Sequence, residues 1–311
     1  MNPIIALIIA NVIWGMASPI FKLSLQNIPP FTLAFIRFFF ASILVLYFGL
    51  KHWKKLTWRE FFTILVASFF GITINIGFYF LALPKTVSIN APIIASSSPI
   101  FLFFFSIFFL REKFHKNVFR GILIAFIGVL IIVLSPYFLD GSLTKAAKDS
   151  ALEGNLYLII STIGSVAHAL ILKKILKKDN HFQITLITFV FGALTFFPFM
   201  QMELQKWSIS LIDYRGWLGI IFGVLFSSAI AYTLFAYGIA KIAAQEIGVF
   251  TYIDPVAALI LAVPLLGEVP NLYFYLGSFM VFLGILFAEG RIHWHPFHKI
   301  KQHKFHIINS K

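Results

Sequence analysis

Apolar stretches of 17 to 24 residues, each closed off by a polar cluster, recur ten times along the chain. They run roughly from Asn2 to Leu23, Phe31 to Leu50, Phe61 to Leu83, Val87 to Leu110, Val118 to Leu134, Leu156 to Leu176, Phe182 to Met200, Trp217 to Ala240, Ile247 to Leu266 and Leu272 to Ala288. About 20 apolar residues carry a helix across the hydrocarbon core of a bilayer, so each stretch predicts one membrane-spanning helix. The links are short except for Ser135 to Glu153 and Gln201 to Arg215, and neither of these is long enough for a separate domain. The pattern predicts an all-α integral membrane protein with ten transmembrane helices.

Composition removes the main alternative. Of 311 residues, 59% are hydrophobic and 12% charged, about half the charged share of ~25% in soluble domains, which rules out a soluble globular protein. The 39 Phe suit lipid-facing surfaces and identify no substrate. A net charge of +13 would suggest nucleic acid as a partner of a soluble protein. Here the basic residues fall between the spans, and the positive-inside rule accounts for them without nucleic acid. One side carries Lys51, Lys54, Lys55 and Arg59, then Arg111, Lys113, Lys116 and Arg120, then Lys173, Lys174, Lys177 and Lys178, with Lys241 and five tail residues besides. Those eighteen stand against six on the other side, Lys22, Lys85, Lys145, Lys148, Lys206 and Arg215. The asymmetry predicts a multi-pass protein of the cell membrane with both termini in the cytoplasm. The absence of Cys excludes disulfides and thiolate chemistry. Met1 to Pro3 lacks the positive region of a signal peptide and no A-x-A-like site follows, so the first apolar run is expected to stay as a helix.

Sliding the chain against itself by 156 residues places Lys85 on Lys241, Pro99 on Pro255, Leu110 on Leu266, Glu112 on Glu268, Gly121 on Gly277, Phe126 on Phe282, Gly128 on Gly284 and Leu130 on Leu286, without a gap. Apolar coincidences count for little in this composition, but Pro, Glu, Lys and two Gly at one offset point to duplication. Five spans per unit is an odd number, so the second half enters the membrane from the opposite side. That predicts two inverted-topology five-helix repeats, residues 1–135 and 154–290, joined by an extracytoplasmic linker at 136–153 and followed by a basic, His-rich cytoplasmic tail at 291–311. Such architectures place binding sites near the membrane midplane, where the halves meet.

Trp14-Gly15 in the first span, Ala34-Phe35-Ile36-Arg37-Phe38 in the second, and the paired segments Ser98-Pro99 to Arg111-Glu112-Lys113 and Asp254-Pro255 to Leu266-Gly267-Glu268 carry a family likeness. On these residues the chain resembles EamA-type members of the drug/metabolite transporter superfamily over about residues 4 to 290. The Trp-Gly start has no clean counterpart in the second half, where Gly164-Ser165-Val166-Ala167-His168 stands. The resemblance implies a ten-helix metabolite or amino-acid carrier, usually an exporter, without specifying the solute.

Asp254 is the sharpest single feature, since an acid deep in a span costs at least about 2.5 to 3.5 kcal/mol. It reads either as a cation-binding or proton-carrying carboxylate, or as a protonated acid with a local hydrogen bond. Pro99 and Pro255 each remove a backbone donor and are expected to break their helices, leaving carbonyls near Thr251 and Tyr252 for a substrate or ion. Ser96 and Ser97, beside Ser98, offer hydroxyls to a polar solute or bond back to the preceding turn. Asn75 and Tyr79, at i and i+4, share a helix face that either binds the solute or joins helices, and Tyr232 lies beside the corresponding register of span 8. His168, mid-span, is a relay group or a neutral hydrogen-bonder. For Arg37, snorkelling to the outer interface or a structural bond is preferred over pairing with a substrate carboxylate. Asn90 and Glu246 are expected as helix caps, and Glu112 and Glu268 as topology or folding groups. The tail histidines 293, 295, 298, 303 and 306 match no usual metal spacing.

Three function classes compete. A secondary transporter agrees with the architecture, and the absence of a Walker A pattern leaves ATP to another subunit. An intramembrane enzyme acting on a lipid would need paired membrane aspartates, His-Glu-x-x-His, an activated Ser or clustered metal-binding acids, none of which occurs. A channel or scaffold would use the polar residues only between helices. The sequence favours a non-enzymatic carrier with alternating access and a cavity lined by spans 1, 3, 4, 6, 8 and 9. Trp14 would wall the solute; Asn75, Tyr79, Ser97 and Tyr252 would bond it, and Asp254 would take its amine or a coupled proton. The implied partners are a small-molecule solute, protons as an option, and membrane lipids, with no cofactor, metal or nucleic acid. Monomer and homodimer both remain open.

Overall fold

The computed structural model describes residues 2–51, 53–101, 104–105, 116–138, 144–175, 181–241 and 250–288. Among them every regular element is a helix, as burial in lipid demands when no water answers the backbone's polar groups. The helices are α1 (Pro3–Ser24), α2 (Pro30–Lys51), α3 (Trp58–Ala82), α4 (Asn90–Ala95), α5 (Lys116–Phe138), α6 (Lys145–Ile175), α7 (His181–Leu204), α8 (Tyr214–Ile239), α9 (Ile253–Leu266) and α10 (Leu272–Ala288). Seven of these, α1 to α3 and α5 to α8, are long and apolar enough to cross a membrane, while α9 and α10 are apolar but shorter. Most of the second half of expected span 4, together with Glu112, Glu246 and the tail, lies outside the described residues.

Local chemistry sets the ends. Asn2 caps α1, accepting from Ile4 N at 2.9 Å with Pro3 in the first turn, where its missing N–H costs nothing. Thr57 and Glu60 form a reciprocal capping box at α3. Asp213 caps α8 through Arg215 N and Gly216 N, and the Arg215 side chain bonding its carboxylate holds it below its ordinary pKa. Gly267, at φ 64°, closes α9 in the left-handed conformation that suits glycine.

Both α3 and α8 contain a π-helical segment, Phe69–Ile74 and Phe222–Ile230. An offset of 156 carries the first onto 225–230, inside the second. The closest helix pairing joins α5 to α10 through glycines. A methyl group on Gly128 would meet Gly277 O at 2.6 Å, and one on Gly284 would meet Gly121 O at 2.5 Å, so the Gly-x6-Gly spacing of each half fits against the other half's. Further pairs are α2 with α7 and α1 with α9. A large apolar core includes Phe21, Phe38, Phe80, Phe189 and Phe196, while Phe40, Tyr47, Leu194 and Phe279 project outward.

Candidate functional site: a polar cavity inside the bundle

The helices enclose a cavity of about 220 Å³ lined from α1, α3, α4, α6, α8 and the start of α9, with Arg37 contributed by α2. Six of the nine residues the sequence nominates line it: Trp14, Asn75, Tyr79, His168, Tyr232 and Asp254. Ser96, Ser97 and Tyr252 do not. Ser96 Oγ donates to Pro92 O at 2.8 Å and Ser97 Oγ to Ile94 O at 2.5 Å, both buried, while Ser98 reaches the cavity wall. Successive helical residues point ~100° apart, so only one of three adjacent serines faces a given direction. The same rotation turns Tyr252 onto Phe282, ring centroids 5.7 Å apart, and leaves Thr251 on the cavity.

The prolines interrupt their helices without forming the wall. A turn at Ser96–Ser97 follows α4 ahead of Pro99, and another at Thr251–Tyr252 precedes α9. Pro99 cannot donate to Ala95 O, which accepts Ser98 Oγ instead at 2.5 Å; Thr251 O, the corresponding carbonyl ahead of Pro255, is reached by Ser96 Oγ at 3.4 Å. Ser98 therefore answers the carbonyl that Pro99 leaves, whereas Thr251 O accepts chiefly from Asp254 N, at 3.2 Å.

Asp254 is buried, at 9% exposure, and its Oδ1 has no hydrogen-bonding partner among the described residues. It sits where α1 and α9 touch. A methyl on Gly15 would come within 2.5 Å of Asp254 O and 2.8 Å of its Cα, so glycine is what lets the two helices meet there. Trp14 donates Nε1–H to Ser227 O at 3.1 Å, and its ring lies 5.2 Å from Tyr232 and 4.9 Å from Phe235, building an aromatic wall. Asn75 donates to Ser161 O and Oγ at 2.8 and 3.0 Å, tying α3 to α6. His168 Nδ1 is 2.8 Å from Ala67 O, an arrangement possible because Gly71 has no side chain to meet the imidazole.

Of the two preferred readings for Arg37, a structural bond and snorkelling to the interface, the side chain takes the structural bond. It is 1% exposed. Its Nε donates to Ser228 Oγ at 2.6 Å, and its Nη2 to Ser227 O and Oγ at 3.2 and 3.0 Å. The guanidinium lies 5.0, 4.8 and 6.0 Å from the rings of Phe21, Phe38 and Tyr232. These partners lie in the π segment of α8 and in the aromatic core, which spacing along α2 does not reveal. Tyr79 stands within electrostatic reach of both Arg37 and Asp254.

Sequence reasoning missed Asn11, Ser18, Ser161, Thr162, Ser165 and Ser227 in the lining. A signal was present: Asn11, Trp14 and Ser18 recur at i, i+3 and i+7, as Ser161, Ser165 and His168 do at i, i+4 and i+7, each set on one helix face. Glu268 lies apart from the cavity. It accepts from Lys22 Nζ at 2.7 Å, from Ser88 N at 2.8 Å and Ser88 Oγ at 2.7 Å, and from Ile89 N at 3.3 Å, joining the ends of α1 and α9 to the approach to α4. Among the described residues no three metal-ligating side chains cluster, and the tail histidines lie outside them.

The chain is similar to known proteins over nearly its whole length. The model of the EamA-like transporter family matches residues 1–134 and 152–289. An uncharacterized transporter of Bacillus subtilis (strain 168), YetK, is 30% identical over 288 residues, covering 92% of this chain and 86% of its own. An uncharacterized transporter of Archaeoglobus fulgidus is 27% identical over 286 residues, 90% of this chain and 96% of its own. A solved structure described only as a crystal structure of a protein superposes with a TM-score of 0.62 at 17% identity, over 91% of this chain and 95% of that one, and bears on the fold alone.

Proposed function

Because the chain belongs to the EamA-like transporter family, and is thus a multi-pass membrane transporter, we propose that it is a secondary active carrier that exports a small polar metabolite or amino acid from the cytoplasm by alternating access. The observation that carries this reading is a cavity inside the bundle, lined from both sequence halves by aromatic, amide and hydroxyl side chains and holding a buried carboxylate with an oxygen that has no partner among the described residues. The π segments in register and the exchanged glycine contacts of α5 and α10 support two inverted repeats that rock about the cavity. Aromatic groups wall the solute, hydroxyls and amides bond it, and Asp254 alternates between a proton and the solute or its counter-charge. In this reading the membrane is the cell membrane and both termini lie in the cytoplasm.

A screen of amino acids and polar metabolites by thermal stabilisation of the purified protein selects the solute, since a ligand at 100 times its dissociation constant adds about 2.7 kcal/mol. Counterflow in proteoliposomes then tests carriage. Saturable exchange with the solute recovered chemically unchanged is expected; a non-saturating flux identifies a channel, and altered solute an enzyme. On Asp254→Asn, proton-driven accumulation is expected to vanish; survival of exchange at equal concentrations assigns Asp254 to the coupling proton, and loss of solute binding assigns it to the solute's amine. Wild-type behaviour in both assays would remove Asp254 from the coupling step.

A further inference from the structure

Asp254 is not the only residue on the cavity with an unanswered acceptor. Asn11, on α1, is 1% exposed and donates its Nδ2–H to Leu7 O at 2.8 Å. That bond fixes which end of the amide is which: the NH2 points back along α1, and the oxygen is the end left over. Asn11 Oδ1, like Asp254 Oδ1, is buried with no hydrogen-bonding partner among the described residues. Both residues line the same cavity, from helices in direct contact, since Gly15, one turn beyond Asn11, abuts the backbone of Asp254. Buried acceptors without donors are costly and rare in native proteins. Of the three such buried atoms on this lining, Ser18 Oγ is a hydroxyl that carries its own donor, and the two pure acceptors, on adjoining helices, mark the place of a ligand that brings donors.

We propose that Asp254 and Asn11 together bind the protonated primary amine of the transported solute. The donor count decides among cations. A proton on Asp254 supplies a single O–H donor and cancels the carboxylate charge. A primary ammonium carries three N–H donors and no acceptor, so it serves both oxygens and matches the negative charge. A quaternary ammonium carries the same charge with no donor and leaves both unanswered. The remainder of the solute meets the wall of Trp14, Tyr232 and Phe235, whose ring faces accept a cationic or apolar neighbour. The other charged and titratable groups on the cavity do not compete for this corner. The Arg37 guanidinium is engaged by Ser227 and Ser228 on the α8 side, and His168 bonds the Ala67 carbonyl of α3. Tyr79 stands within electrostatic reach of both Arg37 and Asp254.

The inference rests on the carrier reading and deepens it by naming the solute's head group. It is tested on the purified full-length protein with three probes of equal charge: phenethylamine, its N,N-dimethyl derivative and its trimethylammonium derivative, carrying three, one and no N–H donors. Affinities are read from thermal stabilisation across a concentration series. The primary amine is expected to bind at least about tenfold more tightly than the dimethyl form, the scale of one hydrogen bond to a charged group, and the trimethyl form to bind weakest. Asn11→Ala and Asp254→Asn should each narrow the gap between primary and dimethyl amines. If either variant fails to fold, the wild-type series still decides. Equal binding of all three probes, or none by the primary amine, overturns the proposal. So does stabilisation by sodium chloride over choline chloride that the primary amine does not displace, which would make the corner an alkali-cation site. The two readings fail separately: a protein that binds the primary amine without moving any solute fails as a carrier only, and one that carries only solutes lacking a primary amine fails this inference only.

Discussion

Two buried carboxylates meet opposite fates in this protein, and the difference lies in their donors. Glu268 is surrounded by a lysine ammonium, two backbone amides and a hydroxyl, and so serves as a structural anchor. Asp254 has an oxygen with no such donor and is left for a ligand or a proton. Removing one member of a buried, bonded ion pair strands the other, at about 3 to 5 kcal/mol. Glu268→Ala is therefore expected to lower the thermal midpoint in detergent sharply, and Glu268→Gln by less, because an amide oxygen still accepts from Ser88 and Lys22. Lys22, at 21% side-chain exposure, places the pair toward the upper part of the surface-to-buried range, and equal midpoints for wild type and Glu268→Ala would show it contributes nothing. Arg37 makes the companion case. A lysine keeps the charge but cannot span Ser227 and Ser228 with a planar fork, so Arg37→Lys is expected to cost about 2 kcal/mol, the scale of a hydrogen bond to a charged group. An unchanged midpoint for Arg37→Lys would mean that charge alone matters. The depth of Arg37 was legible from its position in span 2, but its direction was not: spacing along one helix gives height in the membrane, whereas the partners come from α8.

At the level of the helices, close approach depends on particular glycines, and two of them form a controlled comparison. Gly15 and Gly77 both lie inside helices, where Ala is favoured over Gly by up to about 1 kcal/mol. A methyl at Gly77 would find its nearest neighbour, Phe196 Cε1, at 3.5 Å, ordinary contact, whereas at Gly15 it would run into the backbone of Asp254. Gly77→Ala is expected to be neutral or stabilising, and Gly15→Ala to lower the thermal midpoint and weaken solute binding by pushing α1 from α9. Similar midpoints for the two variants would contradict the contact. The same scale shows what sequence periodicity can resolve. It nominated α1, α3, α4, α6, α8 and α9 as the cavity's helices, and those are the helices lining it, with Arg37 of α2 besides. It chose the wrong serine of Ser96 to Ser98 and the wrong member of Thr251–Tyr252 because both fall at helix interruptions, where a proline and a turn reset the rotation that spacing counts. The π segments of α3 and α8 have the same effect: each extra residue per turn shifts every later side chain round the helix axis, and no residue pattern announces it.

For the molecule as a whole, apolar length alone identified the class, because the bilayer imposes one dimension on every span. It was least informative where spans are short or broken. Nine of the ten expected stretches contain a long or shorter apolar helix among the described residues, and the stretch around α4 is described only in part. Which end of each helix faces the cytoplasm is a separate matter, carried by loop charge: eighteen basic residues on one side and six on the other. Translocating a lysine-rich link is disfavoured, so the richer side is expected inside. The structure makes the test practical, because Lys54, Arg59, Lys145 and Lys206 are all exposed at helix ends or in links, and the absence of native Cys leaves a single introduced thiol as the only reactive one. In intact cells, an impermeant thiol reagent is expected to label Lys145→Cys and Lys206→Cys and to spare Lys54→Cys and Arg59→Cys, with all four reacting once the membrane is permeabilised. Lys145 follows the fifth span and Lys206 the seventh, so labelling of both also requires an even number of crossings between them. The reverse pattern would invert the protein and turn the proposed exporter's cytoplasmic entrance outward. Labelling of one outer site but not the other would mean that α6 and α7 do not both cross, and the five-plus-five arrangement would fail with them.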